Sequence, residues 1–91
     1  MAYVVLFTPE FKRDYRKLPG ELKERLKERG RLFQENPFHP LLRTHKLTGV
    51  LKECWAYSVD FRVRVLFQFV SKSEIVLLRV GDHSIYRKKK R

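Results

Sequence analysis

The feature that most constrains the fold is a run with a period of two in the second half of the chain. Between residues 61 and 69, apolar side chains alternate with others: FRVRVLFQF. Successive side chains of a β-strand point to opposite faces of a sheet, so the run predicts a strand with one buried face. Arg62 and Arg64 then project from the other face. The residues predicted to face the core are Phe61, Val63, Val65, Phe67 and Phe69.

Two neighbouring segments also have strand character. Residues 51–59 predict one strand, and residues 74–80 predict the last strand after a tight turn at 71–73, because both segments are rich in β-branched, aromatic and leucine side chains. The side chains expected to share a face are Trp55, Tyr57 and Val59 in the first segment, and Ile75, Leu77 and Arg79 in the second.

The N-terminal half predicts a short strand and then a helical hairpin. Residues 3–7 (YVVLF) are typical of a buried strand. Thr8 followed by Pro9 indicates a helix N-cap and first turn. A second helix is expected over residues 21–35, with Gly30 on its apolar stripe allowing a close helix approach. The stripe residues are Phe11, Tyr15 and Leu18 in the first helix, and Leu22, Leu26 and Phe33 in the second.

The order of these elements is strand, two helices and three strands (β-α-α-β-β-β). Three strands joined by short turns form an antiparallel meander, and the helical hairpin must bury its stripe against one face. The sequence therefore predicts an α+β fold with a mainly antiparallel sheet. Residues 1–86 are expected to form a single domain, and residues 87–91 (RKKKR) a basic C-terminal tail.

Positive charge limits the partners of the chain. Its 91 residues include 21 Lys and Arg against 10 Asp and Glu, a net charge of +11. Such a field suits nucleic acid, an anionic membrane or an acidic protein. The charge is uneven: residues 1–35 carry 9 basic and 6 acidic side chains, whereas residues 36–91 carry 12 basic and 4 acidic. The alternating charges of the second helix predict a solvated surface with i,i+4 pairs, so the site is expected in the second half.

Several classes of protein are disfavoured. The apolar runs are too short for a membrane span and nothing is typical of a signal peptide, so a soluble cytoplasmic protein without a membrane partner is expected. A single cysteine, Cys54, excludes an internal disulfide and is expected to be a buried small hydrophobic residue. The three histidines are far apart in sequence, which predicts no metal site, and no cofactor is expected.

Two arginines and two histidines are the main candidates for chemistry. Arg62 and Arg64 on one sheet face suit a phosphodiester, because guanidinium binds phosphate through a bidentate fork; solvent-facing arginines on an uncovered strand are the alternative. A histidine titrates near neutrality and serves as general acid or base in RNA cleavage, although a lone loop histidine is often ordinary surface. The candidates are His45, His83 and Tyr86 for chemistry, with Lys46, Lys52, Arg79 and Arg87 to hold RNA.

Three segments in this order resemble the RelE/ParE superfamily of type II toxin–antitoxin toxins. They are residues 45–49 (HKLTG) before a Trp-bearing strand, residues 59–67 (VDFRVRVLF) and residues 80–87 (VGDHSIYR). The resemblance implies a ribosome-dependent mRNA endonuclease that needs no metal and is held inactive by an acidic antitoxin. It implies catalytic roles for Arg64, His83 and Tyr86.

The branch of the superfamily is left open by the residues. His45 corresponds to a histidine that the YafQ branch uses, but Ala56 and Ser58 stand where that branch has a carboxylate and a histidine. The arginine-rich strand is more similar to RelE itself. The ParE branch inhibits DNA gyrase and is no nuclease, and it remains an alternative. A basic RNA-binding module without toxicity is a third.

Overall fold

Two helices lie against one face of a five-stranded sheet in the computed structural model, which describes residues 2–86. The predictions for residues 87–91 lie outside the described residues. Short 3₁₀ helices are present at Pro40–Leu42, Gly49–Leu51 and His83–Tyr86. The main elements are β1 (Val4–Phe7), α1 (Pro9–Arg16), α2 (Gly20–Glu35), β2 (His45–Lys46), β3 (Trp55–Ser58), β4 (Arg64–Phe69) and β5 (Glu74–Gly81).

The start of the helical hairpin follows from one threonine. Thr8 Oγ1 accepts a hydrogen bond from the Phe11 backbone N–H at 3.0 Å, so the predicted N-cap is confirmed. The same hydroxyl donates to the carbonyl oxygen of Leu78 at 2.9 Å, which fastens α1 to β5. The second helix, α2, begins directly after Pro19.

The strands run in the order β1-β5-β4-β3-β2, with β1 parallel to β5 and the other pairs antiparallel. The predicted α+β class is confirmed. The sequence did not predict β2, and the strand expected over residues 51–59 is shorter. Gly49 has a positive φ of 70° and the Cys54 N–H donates to the Leu51 carbonyl at 2.8 Å, so this part of the chain is a 3₁₀ turn.

The face of the sheet that packs on the helices, here called the helix-covered face, holds the main core. Phe33 of α2 stacks on Tyr57 with ring centroids 4.4 Å apart and meets Phe67 edge-on at 4.8 Å. Val63 and Val65 are buried beside them, as the alternation predicts. Gly30 does not serve close packing, because a Cβ there would meet nothing within 4 Å. That prediction is wrong: a cleft of about 350 Å³ lies beside it.

Phe61 is 84% exposed, which contradicts its predicted place in the core. The cause is Asp60, whose Oδ1 accepts hydrogen bonds from the N–H groups of Arg62 at 2.9 Å and Val63 at 2.6 Å. This side-chain turn holds residues 60–62 outside the strand. The alternation therefore controls burial only from Val63 onward.

The other side of the sheet, here called the opposite face, carries a smaller apolar cluster. Cys54, Leu66 and Ile85 are buried there, so the prediction for the cysteine is confirmed. Leu51 and Tyr86 of two 3₁₀ helices pack against it, together with Leu47 and Leu78. The face that was predicted to carry Arg62 and Arg64 is thus apolar in its middle, and its charged groups lie toward one end.

A β-bulge in β5 changes which residues face the helices. Phe67 pairs with Leu77 but Leu66 pairs with Arg79, which leaves Leu78 as an extra residue. A bulge of one residue reverses the alternation beyond it. Val80 is consequently buried in the main core, and Arg79 does not share a face with Leu77. The prediction that Arg79 shares a face with Ile75 and Leu77 is wrong.

Candidate nucleic-acid interface

The β3–β4 turn fixes the position of Arg64. Arg64 begins β4, and its Nη1 donates hydrogen bonds to the carbonyl oxygens of Asp60 at 2.6 Å and Val63 at 3.3 Å. Partial burial acts to raise the pKa of Asp60, but the N–H donors of Val63 and Arg62 and the charges of nearby arginines outweigh it and lower that pKa. The carboxylate thus stays ionised and holds the turn that supports Arg64.

The 3₁₀ helix His83–Tyr86 brings two further candidates to the same end of the sheet. Arg64 pairs with Gly81, the last residue of β5, and the chain passes directly from there into this helix. Gly81 is required because a Cβ would lie 2.9 Å from Cγ2 of the buried Ile85. The His83 and Tyr86 rings then meet edge-on at 5.7 Å. We call Arg64, His83 and Tyr86 the Arg64 cluster.

Burial and charge act on Tyr86 in opposite directions. Burial raises the pKa of its hydroxyl, and the positive charge of Arg64 partly offsets that rise. Tyr86 is therefore neutral at physiological pH, with a half-buried ring and a proton to donate. This combination suits contact with a nucleobase or a phosphate oxygen.

Arg62 and His83 line one shallow cavity of about 450 Å³, together with Asp82 and Ser84. Asp82 accepts a hydrogen bond from the Ser84 backbone N–H at 2.9 Å. The Ser84 backbone and hydroxyl, with the charges of His83 and Arg62, lower the pKa of Asp82. Arg62 lies in the turn rather than on a strand, but the structure does bring it near His83.

Two of the predicted residues lie on the far edge strand, β2. His45 pairs with Ala56, which pairs with Leu66, so His45 is two strands from β4, roughly 10 Å away. Register places His45 on the opposite face and Lys46, the partner of Trp55, on the helix-covered face. Lys52 is exposed after the 3₁₀ helix Gly49–Leu51. The register therefore separates Lys46 from the opposite face, and His45 from β4 by two strands.

Arg79 has a partner within the protein. Its Nε and Nη2 donate to the Asp14 carboxylate at 2.6 Å and 3.1 Å, and the Val80 N–H donates to the same carboxylate at 3.0 Å. The hydrogen bond to Asp14 raises the pKa of the guanidinium. The guanidinium of Arg79 is thus held by Asp14 of α1 and is not free for the Arg64 cluster. Arg87 lies outside the described residues.

Sequence reasoning missed three arginines that line the same cavity as Arg64: Arg25 and Arg29 of α2, and Arg43. The charges of α2 were expected to pair along the helix, yet within residues 2–86 only Lys27 and Glu24 do so, at 3.5 Å. The i,i+4 spacing of Arg25 and Arg29 was the available signal, because it puts both on one helix face.

The described part of the chain offers neither a metal site nor a membrane-spanning helix. Between residues 2 and 86, no three His, Cys, Asp or Glu side chains are grouped so that they could hold a metal ion. No helix in that range is long and apolar enough to cross a membrane.

Comparison with known sequences decides the family. The profile described as the ParE toxin of the type II toxin–antitoxin system, parDE, matches residues 5–86. The chain belongs to this ParE toxin family. The resemblance to RelE/ParE toxins that the sequence indicated is confirmed, and the protein is a type II toxin–antitoxin toxin. No curated protein sequence matches the toxin significantly.

Solved structures agree on the fold of the toxin. RelBE2 from Mycobacterium tuberculosis matches with a TM-score of 0.77 at 22% identity, covering 91% of this chain and 100% of that one. YafQ from E. coli matches with a TM-score of 0.77 at 16% identity, covering 94% and 99%. The archaeal RelE–RelB complex from Pyrococcus horikoshii matches with a TM-score of 0.73 at 17% identity, covering 90% of this chain and 96% of that one. At these identities the likeness establishes the fold alone.

Proposed function

We propose that this toxin is an endoribonuclease that cuts mRNA on the ribosome and thereby inhibits translation. The observation that carries the proposal is the Arg64 cluster: an anchored guanidinium, an exposed imidazole and a half-buried phenol at one end of the sheet. The net charge of +11 supports it, because it attracts RNA at long range.

Arg64 would stabilise the transition state. Within residues 2–86 its hydrogen bonds use Nη1 alone, so Nη2 and Nε retain donors for phosphate oxygens. When the 2′-oxygen attacks phosphorus, negative charge grows on the non-bridging oxygens. A fixed cation beside them lowers the barrier, and removal of one such donor typically costs about 100- to 1,000-fold in rate.

The proton transfers fall to His83 and its neighbours. The 2′-oxygen loses a proton and bonds to phosphorus, the bond to the 5′-oxygen breaks, and that oxygen gains a proton. The products are a cyclic phosphate and a free 5′-hydroxyl, and this scheme consumes no metal or cofactor. His83 is exposed and handles one of these protons, while Tyr86 stacks on or orients a base. His45, two strands away, is the second proton-transfer candidate.

The remaining basic residues would position the RNA backbone. Arg62 is best supported, because it lines a cavity with His83. Lys52 and Lys46 extend the basic surface toward β2, Arg79 is held by Asp14, and Arg87 follows the last described residue. Each of these roles is a proposal from the sequence pattern.

The partners follow from the family. RelBE2 and DinJ–YafQ are toxin–antitoxin complexes by description. We infer that this toxin likewise binds a cognate antitoxin, which its charge predicts to be acidic, and that it acts in the cytoplasm. A second candidate function is inhibition of DNA gyrase without RNA cleavage, which the match to the ParE profile favours.

Primer extension on cellular mRNA after brief induction of the toxin separates the two functions. Cleavage predicts new discrete 5′ ends within coding regions and unchanged plasmid supercoiling. Intact mRNA together with loss of negative supercoiling would replace the nuclease with a gyrase inhibitor.

A further inference from the structure

A second positively charged site lies beside Arg64. A cavity of about 520 Å³ opens where β3 turns into β4, between that turn, the middle of α2 and the segment after Pro40–Leu42. We call it the arginine pocket. The residues that define it are Arg25, Arg29, Arg43, Arg64, Asp60 and Phe61.

The arginine pocket is not neutralised by the protein itself. Four guanidinium groups, which remain charged at any physiological pH, share it with one carboxylate. The Asp60 carboxylate is occupied by the N–H groups of Arg62 and Val63. Among residues 2–86, none of the four arginines forms an ion pair within 4.0 Å. Like charges held together in this way favour a bound anion.

One donor in the arginine pocket is buried and unsatisfied. Within the described chain, the Arg29 Nε is the only buried side-chain nitrogen or oxygen that lacks a hydrogen-bond partner. A desolvated donor of a charged group is costly to leave unpaired, so the Arg29 guanidinium lacks compensation from the protein. This observation separates Arg29 from an ordinary solvated surface arginine.

The backbone at Arg43, which also lines the arginine pocket, has an unusual conformation. Arg43 has a φ of 51°, the only positive φ among the non-glycine residues between 2 and 86. Its N–H donates to the Pro40 carbonyl at 3.3 Å, and its own carbonyl oxygen lies 3.1 Å from His45 Nδ1. A non-glycine residue in this left-handed region is uncommon and is kept where the surrounding structure imposes it.

The rim of the arginine pocket favours nucleic acid over an acidic peptide. Phe61 is 84% exposed, and the Arg62 guanidinium lies 5.6 Å from the centre of its ring. An exposed aromatic ring beside guanidinium groups is the combination that binds single-stranded nucleic acid, with bases on the ring and phosphates on the arginines. Arg64 belongs to both the arginine pocket and the Arg64 cluster, so the two sites are adjacent.

We propose that the arginine pocket binds a backbone phosphate of single-stranded RNA adjacent to the phosphate at the Arg64 cluster, with a neighbouring base stacked on Phe61. The inference rests on the proposed function only in taking RNA as the substrate. It assigns Arg25, Arg29 and Arg43 to substrate binding.

Fluorescence anisotropy with a short labelled single-stranded RNA, measured over a range of salt concentrations, tests the arginine pocket. Arg25→Gln/Arg29→Gln removes two charges from it, and the matched control Lys27→Gln/Arg31→Gln removes two from a different face of α2. We expect about tenfold weaker binding for the first variant and a salt slope lower by about 0.7 for each phosphate that it no longer neutralises. The control should stay within about twofold of the unmodified toxin.

Phe61→Ala provides an independent signature. Loss of stacking should weaken RNA binding about five- to tenfold without changing the salt slope, because stacking releases no counterions. Thermal unfolding of each variant establishes that it is folded before binding is compared.

Two results would overturn the proposal. One is that the arginine-pocket variant and its control bind RNA with equal affinity and equal salt dependence. The other is that Arg25→Gln/Arg29→Gln loses binding of a glutamate-rich peptide but keeps that of RNA, which would assign the pocket to an acidic protein. Failure of the proposed function is a separate observation: the unmodified toxin would leave mRNA uncut while RNA affinity still depended on Arg25 and Arg29.

Discussion

The two faces of the sheet are built in different ways. The helix-covered face is packed by α1 and α2 around Phe33, Tyr57 and Phe67, each 1% exposed or less. Within residues 2–86 the opposite face has a cluster of three buried residues, against which two short 3₁₀ helices and parts of neighbouring segments pack. The candidates for chemistry lie at one end of this opposite face: Arg64 begins β4, and His83 and Tyr86 follow β5.

The difference indicates a division between stability and function. Aromatic packing on the helix-covered face supplies most of the apolar burial, so it governs whether the toxin is folded. The 3₁₀ helix His83–Tyr86 is anchored mainly by Ile85, so its removal should affect the site more than the fold. Changes on the two faces should therefore separate stability from activity.

The largest effect on stability is expected for Phe33→Ala. It removes a buried ring that packs on both Tyr57 and Phe67, and such truncations cost about 3 to 5 kcal/mol. Urea unfolding should show this loss, whereas the exposed Phe61→Ala should change the free energy of unfolding by less than about 0.5 kcal/mol. Equal losses for the two variants would break the distinction between packed and exposed rings.

Ile85→Ala tests the opposite face. We expect a loss of about 2 kcal/mol in unfolding free energy, at the low end for buried isoleucine because the cluster is small. The rate of RNA cleavage should fall by more than the loss of folded protein explains, because His83 and Tyr86 are no longer anchored by Ile85. Val50→Ala, on the neighbouring 3₁₀ helix and 77% exposed, is the control. If the cleavage rate fell only in proportion to the fraction of folded protein, the opposite face would have no role in activity beyond stability.

The ion pair between Asp14 and Arg79 should contribute to stability across the sheet edge. Asp14→Asn and Arg79→Met are each expected to cost about 1 to 2 kcal/mol, because the pair is bidentate and partly buried. A double-mutant cycle should give a coupling energy of about 1 kcal/mol. The exposed pair Lys27–Glu24 should give less than about 0.5 kcal/mol. If the cycle showed no coupling energy between Asp14 and Arg79, the Arg79 side chain would be available to bind RNA.

The smallest effect is a pH dependence at the β3–β4 turn. A pKa lowered in the folded protein gives stability that is present above the ordinary value near 4 and is lost as pH falls through the folded value. Asp60→Ala should therefore lower the free energy of unfolding by about 1 kcal/mol at pH 7. The difference from the unmodified toxin should shrink as the pH falls below about 4. Glu53→Ala, which removes an exposed carboxylate, serves as the control. A gap that stays constant with pH would mean that the charge of Asp60 does not hold the turn.

Local signals predicted much of the fold. Thr8 and Pro9 start α1, and the alternation of Val63, Val65 and Phe67 identifies the buried strand, because caps and strand periodicity depend on neighbouring residues only. The family resemblance named Arg64, His83 and Tyr86 as site residues, because each lies in a short recognisable segment, and their roles stay predictions.

Most of the wrong predictions have a different cause, contacts between residues far apart in sequence. The bulge at Leu78 depends on pairing with another strand, and the hydrogen bonds of Arg79 to Asp14 join residues 65 positions apart. The arginine pocket likewise gathers side chains from α2, a loop and β4. Periodicity within one segment carries no information about such contacts. Phe61 failed for a local reason, because the turn made by Asp60 outweighed the alternation.

The central claim is that the Arg64 cluster is a site of chemistry on a fold stabilised elsewhere. Its most direct test is the rate of mRNA cleavage by purified toxin on programmed ribosomes, with Arg64→Ala compared with Arg31→Ala, an exposed α2 arginine. We predict that Arg64→Ala cuts at least about 100-fold more slowly while its unfolding free energy changes by less than about 1 kcal/mol, and that Arg31→Ala cuts normally. A folded Arg64→Ala toxin that cuts mRNA at the unmodified rate would contradict the claim.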